Sequence, residues 1–368
     1  MNFTKTADWA TQVGMSASRS SVAAEVHLFS RPPADLHFKR TCECPKIEEP
    51  RLCFLDCVLK FNEDGSIVED KDRKGPRNCR FYQFFDFPLL DNQETEEDKK
   101  AANDALQAFL SATWHGNAGA HHAEMMALTL AYAGGEVGRF FTPPDRSDSG
   151  KTTRNLALCY FLGGEESSGR GTMSGTLHAE WLCDHKAMGF EGHHILHCKF
   201  TLTPELSTNP ILNDVYKRIP TNVCQKLRKP HSDHVFDGSF GKCVHFLETN
   251  YTPRMLYSQD ELCAIAKRSL CIIFSRKRAF ARQESEVDEE SGVFLMKTAE
   301  ELRRSALTPS TRRAFFRYWV NFTKEYPVSR CDQMLGDLDL FGQEFGSTLQ
   351  HDTEEFCRSM IAREEEGG

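Results

Sequence analysis

The sequence predicts an α/β fold, a parallel sheet flanked by helices, with small helical domains N-terminal and C-terminal to it. Three observations carry that prediction. A short strand, Val137 to Thr142, leads through the loop PPDRSDSG into the amphipathic stretch KTTRNLALCYFL, the strand–loop–helix context of a phosphate-binding loop. Apolar runs from Lys242 to Leu247 and from Leu270 to Phe274 read as further buried strands. Helical apolar spacing marks ANDALQAFLSATW, HHAEMMALTLAYA and most of the chain beyond residue 300.

Taken in order, residues 1–45 show little periodicity and are expected to form a poorly ordered arm. RLCFLDCVLKFN (51–62) reads as one strand, and the turn signal Asn62-Glu63-Asp64-Gly65 returns the following SIV as a hairpin. RFYQFFDFPLL (80–90) is aromatic-rich and expected in the core, and DNQETEEDKK (91–100) is an acidic helix entry. Gly134-Gly135 stops the second of the two helices that follow. Beyond the phosphate-loop helix, strands are expected from His194 to Leu202, 242 to 247 and 270 to 274, with a helix from Pro210 to Ile219. ARQESEVDEESG (281–292) reads as an acidic linker into a helical C-terminal domain, 281–368.

Composition narrows the function. The 368 residues carry a net charge of -8, which argues against a protein that coats nucleic acid by charge alone. No apolar run approaches the about 20 residues a membrane helix needs, and the N-terminus lacks the apolar core of a secretion signal. A chain of the cytoplasm or nucleus, without membrane contact, is expected. Its 14 cysteines are then mostly reduced, buried thiols. Two groups have zinc-ligand chemistry without paired knuckle spacing, Cys42, Cys44, Cys53 and Cys57, and Cys183, His185, His193, His194, His197 and Cys198.

The candidate site begins at Ser149-Gly150-Lys151-Thr152-Thr153. In a phosphate loop the backbone N–H groups and the helix start cradle phosphate, the lysine neutralises it, and the next hydroxyl binds magnesium. Lys151 and Thr152 have the chemistry for those two roles. Asp145 stands where such a loop usually carries its first glycine.

Several blocks then resemble a family in order, over roughly residues 50–325: FLDCVLKFNEDG (54–65), LTLAYAGGEVGRFFTPPDRSDSGKTT, KFTLTPEL (199–206), LNDVYKRI (212–219), CVHFLETNYTPRM (243–255) and KRSLCIIF (267–274). They are similar to the superfamily 3 helicase ATPases of the poxvirus, phage and plasmid primase-helicase type. The resemblance implies an AAA+-like P-loop domain over 135–280, preceded by a helicase-associated domain over 46–134. It implies ATP and Mg2+ as cofactors, Glu205 as the Walker B glutamate, Asn250 as the sensor asparagine and Arg268 as an arginine finger acting across a subunit boundary. It further implies a homo-oligomeric ring, single-stranded DNA as partner and an association with a primase. Lys226, Arg228, Lys229 and His231 fall where the family carries a basic DNA-contacting hairpin. Asp145, and the absence of recognisable primase carboxylates, leave two alternatives: a catalytically impaired nucleotide-binding scaffold on this fold, or an unrelated P-loop phosphotransferase.

Overall fold

A computed structural model describes residues 50–71, 85, 87–90, 92–114, 117–142, 149–162, 174–184, 192, 195–196, 198–203, 205–206, 209–228, 235–250, 253–256, 262–272, 280–288, 293–295 and 297–365. The expected arm, 1–45, lies outside them.

The chain opens with a three-stranded sheet of β1 (Arg51–Cys53), β2 (Val58–Phe61) and β3 (Ile67–Glu69) in sequence order. The pairings are antiparallel, so the region ahead of the parallel sheet holds a sheet of its own as well as helices. The single strand expected over 51–62 is two strands, because the chain reverses between them: Phe54 N–H donates to Cys57 O at 2.9 Å. The reversal turns Phe54 into an aromatic cluster, stacked on Phe85 at 4.8 Å and edge-on to Phe316 at 4.9 Å, an arrangement aromatic rings favour. The Asp56 carboxylate on the same turn accepts the N–H groups of Leu89 and Leu90 at 2.8 and 2.7 Å. The Asn62–Gly65 hairpin is as read. Gly65 has φ +85°, and a Cβ there would stand 2.6 Å from Val328 N, so conformation and space both require glycine.

Two helices follow, α1 (Glu96–Trp114) and α2 (Ala118–Tyr132). Glu96, Glu97 and Asp98 place negative charge at the positive end of α1. Asn117 caps α2, its Oδ1 accepting Ala120 N–H at 3.1 Å. Nearly every residue of α2 is buried, as expected of a helix apolar on all sides. Gly134, at φ +79°, ends the run.

The central body comprises β4 (Phe140–Thr142), α3 (Lys151–Leu162), β5 (Ser174–Thr176), α4 (Ala179–Cys183), β6 (Phe200–Thr203), β7 (Ile211–Leu212), α5 (Asn213–Arg218), β8 (Gln225–Arg228), β9 (Val235–Gly238), β10 (Val244–Leu247), β11 (Met255–Leu256), α6 (Leu262–Ala266) and β12 (Ser269–Cys271). Five of these strands form a sheet of order β12-β4-β10-β6-β5, and every pairing in it is parallel. The strand expected over 194–202 starts later, because Ile195 N–H bonds to Gly192 O and Cys198 N–H to Ile195 O, closing turns there. The helix expected from Pro210 gives its first residues to β7, which pairs with β11.

Buried hydroxyls explain why β6 lacks a strand's usual apolar run. Thr201 Oγ1 bonds His245 Nδ1 at 2.8 Å on the neighbouring β10, and Thr203 Oγ1 donates to Leu177 O at 2.7 Å. Side chains alternate between faces. Phe141, Phe200 and Phe246 join the core shared with α1, α2 and α3, whereas Phe140 and Leu247 join the one beneath α5 and α6.

The segment expected as an acidic linker carries short pairing of its own, β13 (Phe280–Ala281) with β14 (Phe294–Leu295) and an isolated bridge from Asp288 to Val293. Helices α7 (Ala299–Ser305), α8 (Pro309–Glu325), α9 (Val328–Gly336), α10 (Leu338–Phe345) and α11 (Leu349–Glu365) complete the chain. Capping boxes at Thr298 and Thr308 start the first two of these. The buried face of α8 places Phe315, Phe316 and Trp319 in the core that also holds β1, α2 and one face of the sheet. Trp319 Nε1 donates to Thr129 Oγ1 at 2.9 Å. Helix α11 lies against the outer strand β12, where Cys271 N–H donates to Thr353 Oγ1 at 3.0 Å.

Candidate functional site

Parallel strands of matched register end together. Phe140, His245 and Thr201 sit side by side on β4, β10 and β6, and Leu247 lies beside Thr203 at their finish. The carboxyl ends of such a sheet form the usual ligand crevice of an open α/β fold. Strand β4 ends at this edge with Thr142, and the chain is next described at Ser149. Residues 143–148, Asp145 included, lie outside the described ones.

The loop re-enters at Ser149 and Gly150. Gly150 has φ +97°, a left-handed conformation at the junction into α3 that favours glycine. Arg154 N–H then closes the first turn on Gly150 O at 2.8 Å. Lys151 opens the helix and is buried, with Nζ donating to Ser149 Oγ at 3.3 Å. Thr152 is exposed and Thr153 half-buried. The first-turn N–H groups of a helix have no partner within it and carry partial positive charge, so this helix start suits an anion.

One turn further on, Arg154 is buried between two carboxylates. Its guanidinium lies 3.3 Å from Glu248 Oε1 and 3.7 Å from Glu124 Oε2, and 4.1 Å above the Phe246 ring. Glu248 follows directly on β10 and is fixed through its backbone: its N–H donates to Thr203 O at 3.1 Å and its C=O accepts Leu206 N–H at 3.2 Å. Burial pushes the Glu248 carboxyl above the ordinary range, opposed by Arg154, by a hydrogen bond from Asn155 and by the charge of Lys151. Burial raises Glu124, on α2, to about 7, with Arg154 opposing and Glu248 reinforcing. Nearby on α2, burial holds His121 down at about 3, and its Nε2 meets Tyr318 OH at 2.9 Å. Two acids thus share one base away from water.

Of the residues expected at the site, Ser149, Gly150, Lys151, Thr152 and Thr153 gather at the start of α3. Glu205, two residues beyond β6, and Asn250, three beyond β10, reach the same sheet edge, both exposed. Arg268 lies at the opposite edge, immediately before β12. It is half-buried, and its Nε and Nη1 donate to Lys217 O and Ala264 O at 3.1 and 3.0 Å. Lys226 and Arg228 stand on the antiparallel hairpin of β8 and β9, on exposed positions, with Lys226 Nζ 2.6 Å from Asp237 Oδ1. Lys229 and His231 lie outside the described residues. The hairpin feeds β10 at its amino end, so it too belongs to the edge away from Lys151.

Three side chains were not singled out from sequence: Glu124, Arg154 and Glu248. Their sequence signal is slight. Arg154 follows Lys151 by one helical turn, and Glu248 precedes Asn250 by two residues.

Three of the four described thiols in the two cysteine groups are core residues, whereas Cys183 is half-buried, its Sγ 3.5 Å from Asn209 O. Cys53, Cys57 and Cys198 are buried, and burial raises the Cys198 thiol to about 12. Cys42, Cys44, His185, His193, His194 and His197 lie outside the described residues, among which no cluster of three or more metal-ligating side chains occurs. No helix of the described residues is long and apolar enough to cross a membrane.

No family model and no curated protein matches the chain. Among solved structures, it is similar to the apo A form of the NrS-1 C-terminal region, with a TM-score of 0.36 and 10% identity over 78% of this chain and 73% of that one. This is a weak likeness.

Proposed function

We propose that this chain is an ATP-hydrolysing module of the superfamily 3 helicase type, acting on single-stranded DNA in replication. One observation carries the reading: Lys151 at a helix start, Glu205 with its carboxylate and Asn250 with its amide come from three distant segments that follow neighbouring strands at the carboxyl edge of one parallel sheet. Gly150, the buried Lys151 and the exposed Thr152 hydroxyl fit a nucleotide phosphate with its metal. Lys151 and the first-turn N–H groups of α3 would hold the β- and γ-phosphates, Ser149 and Thr153 would flank them, and Thr152 would hold Mg2+. The bound ion would supply charge neutralisation on the phosphate oxygens. Asn250 orients the attacking water, and Glu205 or a neighbouring carboxylate accepts its proton.

In this reading the protein works as a homo-oligomeric ring, with Arg268 reaching the neighbouring subunit's site. That role asks Arg268 to leave its two carbonyl partners. The hairpin residues Lys226, Arg228, Lys229 and His231 contact DNA phosphates, and a primase is the natural partner for a motor of this type. A second reading, a nucleotide-binding scaffold without turnover, is favoured by Asp145, whose carboxylate replaces a glycine beside bound phosphate.

The test is hydrolysis of Mg·ATP by the purified full chain, with and without single-stranded DNA, alongside light scattering for ring assembly. Turnover that depends on Lys151 supports the motor. Nucleotide binding without turnover selects the scaffold. Turnover by a monomer that ignores DNA selects a phosphotransferase.

A further inference from the structure

We infer that Glu248, rather than Glu205, is the carboxylate that takes the proton of the attacking water, and that Arg154 is the positioning residue that holds it there. The inference rests on the ATP-hydrolysing reading and names the base within it.

Position comes first. Glu248 is the residue immediately after β10, the strand lying between β4, which leads to Lys151, and β6, which leads to Glu205. Alternation along the strand places it on the same side as Phe246, whose ring lies under Arg154 of α3 at 4.1 Å. It is close enough to Lys151 for that charge to act on its carboxyl. Glu205 is exposed and makes no side-chain hydrogen bond or ion pair among the described residues.

Rigidity comes second. A base must be held within hydrogen-bond reach of the proton it abstracts. The Glu248 backbone is tied on both sides, to Thr203 and Leu206, and its side chain to Arg154 and Asn155 of α3. These ties fix it relative to the helix start that would carry the phosphates.

Basicity comes third. An arginine that belonged to Glu248 alone would draw its proton affinity down. Here the same guanidinium also faces Glu124, at 3.7 Å against 3.3 Å. Its charge is shared, and burial leaves Glu248 above an ordinary carboxyl, the direction that suits a base near neutral pH.

The step balances as follows. A lone pair on the water oxygen forms the new bond to the γ-phosphorus. The bond from that phosphorus to the β–γ bridging oxygen breaks, and its electron pair departs with ADP. The water proton passes to the Glu248 carboxylate and then to the phosphate product, which restores the ionised base.

Steady-state hydrolysis of Mg·ATP and calorimetric Kd values for Mg·ADP, measured on the full chain, decide the assignment. Glu248→Gln is expected to lower kcat by about 100-fold or more while leaving the ADP Kd within about 3-fold, with a loss at Glu205→Gln at least about tenfold smaller. Arg154→Lys should keep ADP binding, lower kcat and displace the acidic limb of the pH–kcat profile, since lysine cannot reproduce the planar contact. Should Glu248→Gln fail to fold, Glu248→Asp decides, with a reduced kcat expected because the carboxylate withdraws by one methylene. A larger loss at Glu205 than at Glu248, or a wild-type kcat in Glu248→Asp, overturns the assignment and leaves the ATPase reading standing. A wild-type chain without turnover, or turnover that survives Lys151→Ala, overturns both.

Discussion

The two edges of the parallel sheet treat positive charge in opposite ways. At the carboxyl edge, Lys151 and Arg154 are buried, and Arg154 faces the carboxylates of Glu124 and Glu248. At the amino edge, Arg268 donates to two backbone carbonyls, while Lys226 and Arg228 occupy exposed strand positions on a hairpin. Buried charges act through a low dielectric and cannot relax, which suits holding a small, densely charged phosphate in one geometry. Exposed charges interact weakly and adjust freely, which suits a polyanion that must slide. Under the proposed function, the small ligand would belong to one edge and the long one to the other.

The comparison breaks most sharply at Arg154. Arg154→Met leaves two buried carboxylates without their cation, and unfolding in denaturant at pH 8 should show a loss of about 3–5 kcal/mol. The loss should shrink at pH 5 as both acids take up protons. Next comes Lys151→Ala, for which hydrolysis should fall by about 100- to 1000-fold while circular dichroism reports an intact fold.

Glu124→Gln sharpens the comparison through pH. The folded-state value of about 7 lies above the ordinary 4.5, so the folded chain binds the proton more tightly than the unfolded one. Stability from this group is complete below about pH 4.5 and is lost as pH rises through 7. The glutamine variant should therefore lack that decline and gain up to about 3 kcal/mol relative to wild type at pH 8, read from melting curves across the range. His121 works in the opposite direction, since its low folded value costs stability as pH falls from 6.5 towards 3. Profiles below pH 6 thus contain both.

Thr201→Val, away from either edge, removes the partner of the buried His245 Nδ1 while Nε2 keeps Phe240 O, and should cost about 1–3 kcal/mol in denaturant unfolding. The smallest effect on folding belongs to the hairpin. Lys226→Gln with Arg228→Gln should leave stability within about 0.5 kcal/mol. The same pair should make the salt dependence of single-stranded DNA binding shallower by about 0.7 per lost contact; an unchanged slope would remove DNA from the amino edge.

Much of this arrangement could be read in the residues. Helix α3 runs from Lys151 to Leu162 as its spacing predicted, and Gly134 stops α2 where glycine should. Such features are local, set by neighbours three or four positions away. The strand β6 was placed too early, because turns close from Gly192 to Cys198 ahead of it, and what makes its Thr201 and Thr203 acceptable in a core lies 44 and 26 residues distant, in His245 and Leu177. Glu248 escaped for the same reason. Nothing beside it in the chain distinguishes it from Glu205; the burial and the pairing with Arg154, 94 residues away, do. The reversal at Phe54 likewise depends on Phe316, from a helix near the other end of the chain.

Helix α11 has a consequence for how this molecule survives in concentrated solution. β12 is a terminal strand of its sheet, and the Thr353 hydroxyl takes up its Cys271 N–H. A bare strand border is a template on which foreign strands add. Chains cut before Leu349 would present that border uncovered, so clumping, rather than any loss of chemistry, is what a shortened version should show first.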